Sequence, residues 1–80
     1  MELRDENGNT LLHWAAQNGR KALCKAFLKE GANINAQNIK GNTALHFAFA
    51  YGFADLAEWM ISKGADDGLT NAAGLSPYDG

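Results

Sequence analysis

The chain has a single cysteine, no surplus of basic residues and no apolar run longer than a few residues, and each shortage removes a class of protein. Cys24 alone cannot build an intrachain disulfide framework or a multi-cysteine zinc cluster, which fits a reducing compartment. Seven Lys and Arg stand against nine Asp and Glu, a formal charge of -2, so no positive excess exists to neutralise the phosphates of a nucleic acid. A membrane-spanning helix needs roughly 18 to 20 apolar residues in succession. The opening MELRDENGNT has neither the basic nor the apolar block of a secretory signal. Nucleic acid and membrane are therefore not expected partners, and cytoplasm or nucleus is the default expectation for location. The glycine spacings G-x-G-x-x-G and G-x-x-x-x-G-K that cradle phosphates are missing. The acidic pair Asp66-Asp67 before Gly68 lacks the later oxygen ligands of an EF-hand and reads as a solvated turn.

What the chain does have is an ordinary globular balance, 46% apolar and 20% charged residues in a length of 80, enough for one domain with a thin core. A chain of this size buries only roughly 60–65% of the surface that its unfolded form exposes. Its main signal is internal repetition. Laid over itself at an offset of 33, Asp5–Gln37 meets Asn38–Thr70 without a gap and ten positions are identical. They are Gly8/Gly41, Asn9/Asn42, Thr10/Thr43, Leu12/Leu45, His13/His46, Ala15/Ala48, Gly19/Gly52, Leu23/Leu56, Gly31/Gly64 and Ala32/Ala65. Trp14 over Phe47, Phe27 over Met60 and Leu28 over Ile61 keep the chemical type. A third copy starts at Asn71, with Gly74, Ser76 and Pro77 in register, and the sequence reaches Gly80 before a helix could form.

Each unit reads as two helices followed by an extended turn. Thr10 and Thr43 precede apolar-periodic runs, where a hydroxyl can accept from an orphan backbone N–H and start a helix. Gly19 and Gly52 end these first helices after about eight residues, and the small Ala15, Ala16 and Ala48 allow a neighbouring helix to come close. The second helices are expected over roughly 21–30 and 54–63. Leu23, Cys24, Phe27 and Leu28, and then Leu56, Ala57, Met60 and Ile61, form one apolar stripe on each. Gly31 and Gly64 close them, and the Asn-, Asp- and Gly-rich stretches 32–41 and 65–74 read as turns or hairpins. Such a unit cannot bury its apolar face alone and stacks on copies of itself.

These residues resemble the ankyrin repeat, a 33-residue unit with a T-P-L-H block, two helices, a G-A step and a projecting hairpin. DENGNTLLHWAAQNGRKALCKAFLKEGANINAQ follows that pattern with Leu11 in the proline position, and NIKGNTALHFAFAYGFADLAEWMISKGADDGLT follows it with Ala44 there and Gly68 where asparagine is usual. In NAAGLSPYDG, Tyr78-Asp79 stand where leucine and histidine are typical. The resemblance implies an all-α repeat solenoid, helix-turn-helix units joined by β-hairpin-like loops, with repeat 1 at 5–37, repeat 2 at 38–70, a partial repeat 3 at 71–80 and, in 1–4, the tail of a preceding unit. About three repeats with polar end caps are the usual minimum. With two full units and no evident caps, the chain is expected to be a segment of a larger protein or to self-associate through its open ends.

His13 and His46 stand three residues after the capping threonines, where each ring can bond the cap and the adjacent hairpin backbone. Two histidines without a partnered carboxylate cannot complete a closed tetrahedral metal site. Cys24, in register with Ala57, reads as a small buried apolar residue. No catalytic, metal or cofactor-binding residue is expected, and no enzyme activity. The candidate contacts are for protein. Trp14, Phe47 and Tyr51 lie on the first helices, on the side that the resemblance makes concave, with Tyr51 expected to be the most exposed; Trp14 and Phe47 could equally fill space between units. Large exposed aromatics are common interface anchors. Beside them stand the turn residues Glu6, Asn7, Asn9, Gln37, Ile39, Lys40 and Asn42 and the helix residues Gln17 and Asn18, places from which ankyrin proteins make most of their contacts. Ile39, an apolar residue at a turn tip, has no core to join. The expected function is a protein–protein interaction module; the alternative is a structural or regulatory spacer packed within a larger enzyme or channel.

Overall fold

A computed structural model of the chain describes residues 3–79. Met1 and Glu2 of the expected preceding tail, and Gly80 of the third unit, lie outside the described residues. The two copies of the repeat give four helices in chain order, α1 Leu11–Gln17, α2 Lys21–Lys29, α3 Ala44–Ala50 and α4 Ala54–Ser62. The hairpin-like loops are turns rather than paired strands. Among the described residues the one β-bridge joins Arg4 to Thr10.

Each first helix is started by the same reciprocal pair. Thr10 is extended, and its hydroxyl accepts from the backbone N–H of His13, while the His13 ring nitrogen Nδ1 accepts from the backbone N–H of Thr10 at 3.0 Å. Thr43 and His46 repeat the arrangement at 3.1 Å. This is a capping box with imidazole in the role usually taken by Glu or Gln. Because Nδ1 is an acceptor, the ring proton sits on Nε2, which donates to the carbonyl of Asn42 at 2.7 Å from His13 and to that of Leu75 at 3.0 Å from His46. Each imidazole thus fastens its own helix to the turn of the next unit. The first helices run seven residues, one fewer than the spacing suggested, because Asn18 and Tyr51 already serve as C-caps. The glycine that follows Asn18 has φ +67°, and a Cβ on it would lie 2.6 Å from the Phe53 ring. The second unit packs on the first at that point.

The core is built from small and medium residues. Leu12, Ala15, Ala16, Leu45, Ala48, Ala57 and Met60 are almost wholly inaccessible, with Cys24 and Leu56 beside them. Buried alanines let α1 lie against α3, while each first helix also packs on its own second helix. The expected stripe on α4 is buried as a set except for Ile61, which is half-buried. On α2 it is not: Leu23 is 39% exposed although Leu56, its equivalent, is 5% exposed. The reason is position in the stack. Leu56 shares a hollow with Gly19 and Lys21 of the first unit, whereas Leu23 faces the side on which no unit stands among the described residues. The third unit keeps its helix start without the histidine. Asp79 accepts from both the backbone N–H and the hydroxyl of Ser76, at 3.2 and 3.0 Å, and Pro77 is buried.

Two outcomes follow from this packing. Leu56→Ala should lower the unfolding free energy by about 2–5 kcal/mol, the cost of a cavity in a small core, and Leu23→Ala, at the same register, should cost well under half of that; urea titration followed by circular dichroism compares them. The second concerns pH. Burial pushes His13 below the ordinary histidine value of 6.5, against the opposing pull of its bond to Asn42. Below that value the unfolded chain takes up a proton that the folded chain resists, so the contribution of His13 is present above it and declines as pH falls. The melting temperature should drop between pH 7.5 and 5.5, and the drop should shrink in His13→Gln.

Candidate functional site

The projecting turns are organised by one position per unit. Asn38 Oδ1 accepts from the backbone N–H groups of Lys40 and Asn42, at 3.0 and 2.9 Å, while the Asn38 backbone exchanges bonds with Asn42 and Gly41. Asp5 does the same for Asn7 and Asn9, and Asn71 for Ala73 and Leu75. An Asx side chain that closes its own turn is the usual reason for Asn or Asp there. The bonds from the Asn9 N–H and amide and the Asn7 N–H hold the exposed Asp5 carboxyl below its ordinary value, led by the Asn9 backbone.

The turns then bond to one another. The Asn38 amide donates to Asn9 Oδ1 and the Asn71 amide to Asn42 Oδ1, each at 2.8 Å. In the backbone, Ile39 N–H donates to Asn7 C=O at 3.1 Å and Ala72 N–H to Lys40 C=O at 2.9 Å. Gly41, at φ +78°, permits this approach, since a Cβ there would lie 2.8 Å from the Ala72 nitrogen. The three tips therefore form a braced row rather than independent loops.

Between this row and the first helices run two adjoining hollows. One, of about 220 Å³, is lined by Asn7, Asn9, Ile39, Lys40, Asn42 and Phe47 of the expected contact set, together with Asn38. The other, of about 180 Å³, is lined by Asn42, Phe47 and Tyr51 with His46, Ala50, Asn71 and Leu75. Phe47, half-buried, belongs to both; its ring stands edge-on to His13 at 5.4 Å and to Tyr51 at 6.1 Å. Ile39 is 71% exposed at the tip. Trp14 and Tyr51 are equally exposed, at 54%, so the expectation that Tyr51 would stand out is corrected. Phe47 fills space between units and Trp14 does not, because no unit precedes Trp14 among the described residues.

The remaining expected contacts lie outside the hollows. Glu6 is exposed at the first tip. The Gln17 amide reaches the Tyr51 hydroxyl at 3.4 Å, tying α1 to the end of α3. The Asn18 amide turns back to the Trp14 carbonyl at 2.8 Å. Gln37 braces the turns: its amide donates to the carbonyls of Gly41 at 3.0 Å and Thr70 at 3.3 Å. Arg4, in the same register, reaches those of Gly8 and Gln37. The side chains of Gln37, Asn9 and Asn42 are thus engaged within the chain. Asn38, Asn71, His46, Ala50 and Leu75 line the hollows without being among the expected contacts, although Asp5, Asn38 and Asn71 recur at the repeat period. Cys24 is buried, and burial raises its thiol to about 11, leaving it protonated at neutral pH. Among the described residues no group of three or more His, Cys, Asp or Glu is placed to hold a metal ion.

Asn38→Asp keeps the acceptor that closes the turn but removes the amide that donates to Asn9. It should cost about 1–3 kcal/mol of unfolding free energy, leaving two facing acceptors. Chemical denaturation measures that cost, and an unchanged helical signal at neutral pH would show that the helices persist.

The profile of ankyrin repeats in three copies matches residues 1–71. Palmitoyltransferase akr1 of Aspergillus oryzae is 53% identical over 34 residues, which are 42% of this chain and 5% of that protein. The protein of the same name from Emericella nidulans is 52% identical over 33 residues, 41% of this chain and 4% of the relative. That of Schizosaccharomyces pombe is 53% identical over 32 residues, 40% and 5% of the two chains. The matched stretch spans only a small fraction of these relatives and is about one repeat long. The likeness is one of repeat sequence. With the 33-residue period, the helix pairs, the braced turns and the profile in agreement over nearly its whole length, the chain belongs to the ankyrin-repeat family.

Proposed function

We propose that the chain is a non-catalytic protein–protein interaction module that presents its turn tips and the hollows beneath them to a partner. The supporting observation is the continuity of an apolar surface with a polar frame: exposed Ile39 at the tip, then half-buried Phe47, then exposed Tyr51, bordered by Asn and Lys side chains. Side chains held in place before a partner arrives lower the ordering cost of association. Tyr is among the residues that most often dominate such interfaces. Trp14 extends the same side of the stack. Cytoplasm or nucleus is the compartment we propose. The relatives are named as palmitoyltransferases, but the match covers one repeat, and we extend no acyl-transfer activity to this chain. A buried, protonated Cys24 is a poor nucleophile.

A second reading has its own observation. Leu23 and Leu75 are each 39% exposed at opposite ends of the stack, and Leu3 is 74% exposed, which suits a segment whose ends pack on neighbouring repeats of a longer polypeptide or on a second copy. A module binds a foreign partner when isolated, whereas a spacer binds only the rest of its own polypeptide. Self-association through the ends would instead make stability rise with protein concentration.

The test is a paired substitution. Ile39→Ala combined with Tyr51→Ala should weaken binding to a partner recovered with the unaltered chain by more than about 1 kcal/mol, as measured by titration calorimetry, with an unaltered melting curve. Unchanged affinity would move the binding surface elsewhere.

A further inference from the structure

The opposite side of the stack carries a second surface of different chemistry. Helix α2 reads KALCKAFLK, with lysines at positions 21, 25 and 29 and no carboxylate. Residues four apart share a helix face, and like charges at that spacing repel. Lys21 also stands in the first turn, the end of the helix dipole that disfavours a cation. Its ammonium lies 5.4 Å from the centre of the Trp59 ring on α4, and that of Lys63 lies 5.9 Å from the same ring. Trp59 is half-buried between them.

Next to this ring, between α2 and α4, is a hollow of about 580 Å³, larger than either hollow beneath the turns. Leu28, Ile34 and Trp59 form its apolar lining, and Lys25, Lys29 and Lys63 surround it. No carboxylate lines it: Asp55 and Glu58 of α4 and Glu30 after α2 are all outside the lining. Four of the chain's seven basic residues are thus gathered around one tryptophan in a molecule whose net charge is -2. An uncharged apolar floor with a rim of one sign is a complementary mould for a segment of the other sign that carries an apolar side chain.

We propose that this trough is a second docking site, and that it takes an acidic peptide segment of another protein. An aliphatic or aromatic side chain enters between Leu28, Ile34 and Trp59, while flanking carboxylates pair with Lys25, Lys29 and Lys63. Carboxylates placed there relieve the lysine repulsion along α2, and the apolar insertion covers the indole face. The site is separate from the turn tips, so two partners, or two segments of one partner, can be held at once.

The test uses the 80-residue chain carrying Trp14→Phe, which leaves Trp59 as its one tryptophan. The probe is a synthetic, end-blocked peptide with two leucines flanked on each side by three glutamates. Its lysine counterpart is the control, and tryptophan emission is followed during titration. The expected result is a saturable change with the acidic peptide, none with the basic one, and at least tenfold weaker binding after Lys25→Glu with Lys29→Glu, or after Lys63→Glu. High salt should weaken binding as well. Ile39→Ala with Tyr51→Ala should leave it unchanged, which separates this site from the turn surface. A titration without saturation, equal response to both peptides, or binding that survives charge reversal in variants with a native circular dichroism spectrum overturns the proposal. So does a response confined to phosphatidylserine vesicles with none to the peptide.

Discussion

His13 accepts from the backbone of Thr10 and donates to the carbonyl of Asn42, so a single imidazole starts one helix and holds the turn of the following unit. His46 does this again for Thr43 and Leu75. A seven-residue helix has little stability of its own, because its nucleus is costly and short helices are marginal in water. The ring adds to the cap a bond to the turn of the next unit, so the start of each helix and the stacking of the units are tied through one side chain. Local structure and stacking are thereby coupled, and both rest on a small alanine-rich core.

The two faces follow from that arrangement. On the side of the turns, the units meet through hydrogen bonds between Asn side chains and between backbones, a polar frame that keeps Ile39, Phe47 and Tyr51 in fixed relation. On the side of the second helices, α2 and α4 leave a trough in which Trp59 shares its face with lysines rather than with another helix. Every polar side-chain atom buried among the described residues has a partner, so the frame carries no unmet demand for hydrogen bonds. Among the features left open to a partner are apolar side chains and a cluster of lysines.

Much of this could be read from letters alone, and the reasons for the rest are specific. The period of 33, the threonine caps, the closing glycines and the double role of histidine are each fixed by backbone chemistry that recurs wherever those residues stand at those offsets. Burial is different, since it depends on who stands next door. Leu23 and Leu56 are the same residue at the same register, yet one is covered and the other is not; Trp14 and Phe47 part in the same way. No pattern within a repeat encodes its place in the stack. Gln37, Asn9 and Asn42 show the converse problem. They look like free contacts in a polar turn, and only the neighbouring turn 33 residues away reveals that their side chains are engaged.

The row of turns also has a direction. In both steps the later Asn gives its amide proton to the oxygen of the earlier one, and Leu75 occupies the place where the next oxygen would be. The third turn is held to the second unit by Asn71, Ala72, the ring of His46 and the Tyr78 hydroxyl, which donates to Asp67, and has no helix of its own among the described residues. In mechanical terms the row of turns is a zipper whose teeth all point one way. A pull on the third unit loads the bonds of Asn71, Ala72, Leu75 and Tyr78 to the second unit together with buried Pro77 and the Tyr78 ring against Phe49, so the load passes through the row of turns and into the packed helices at once.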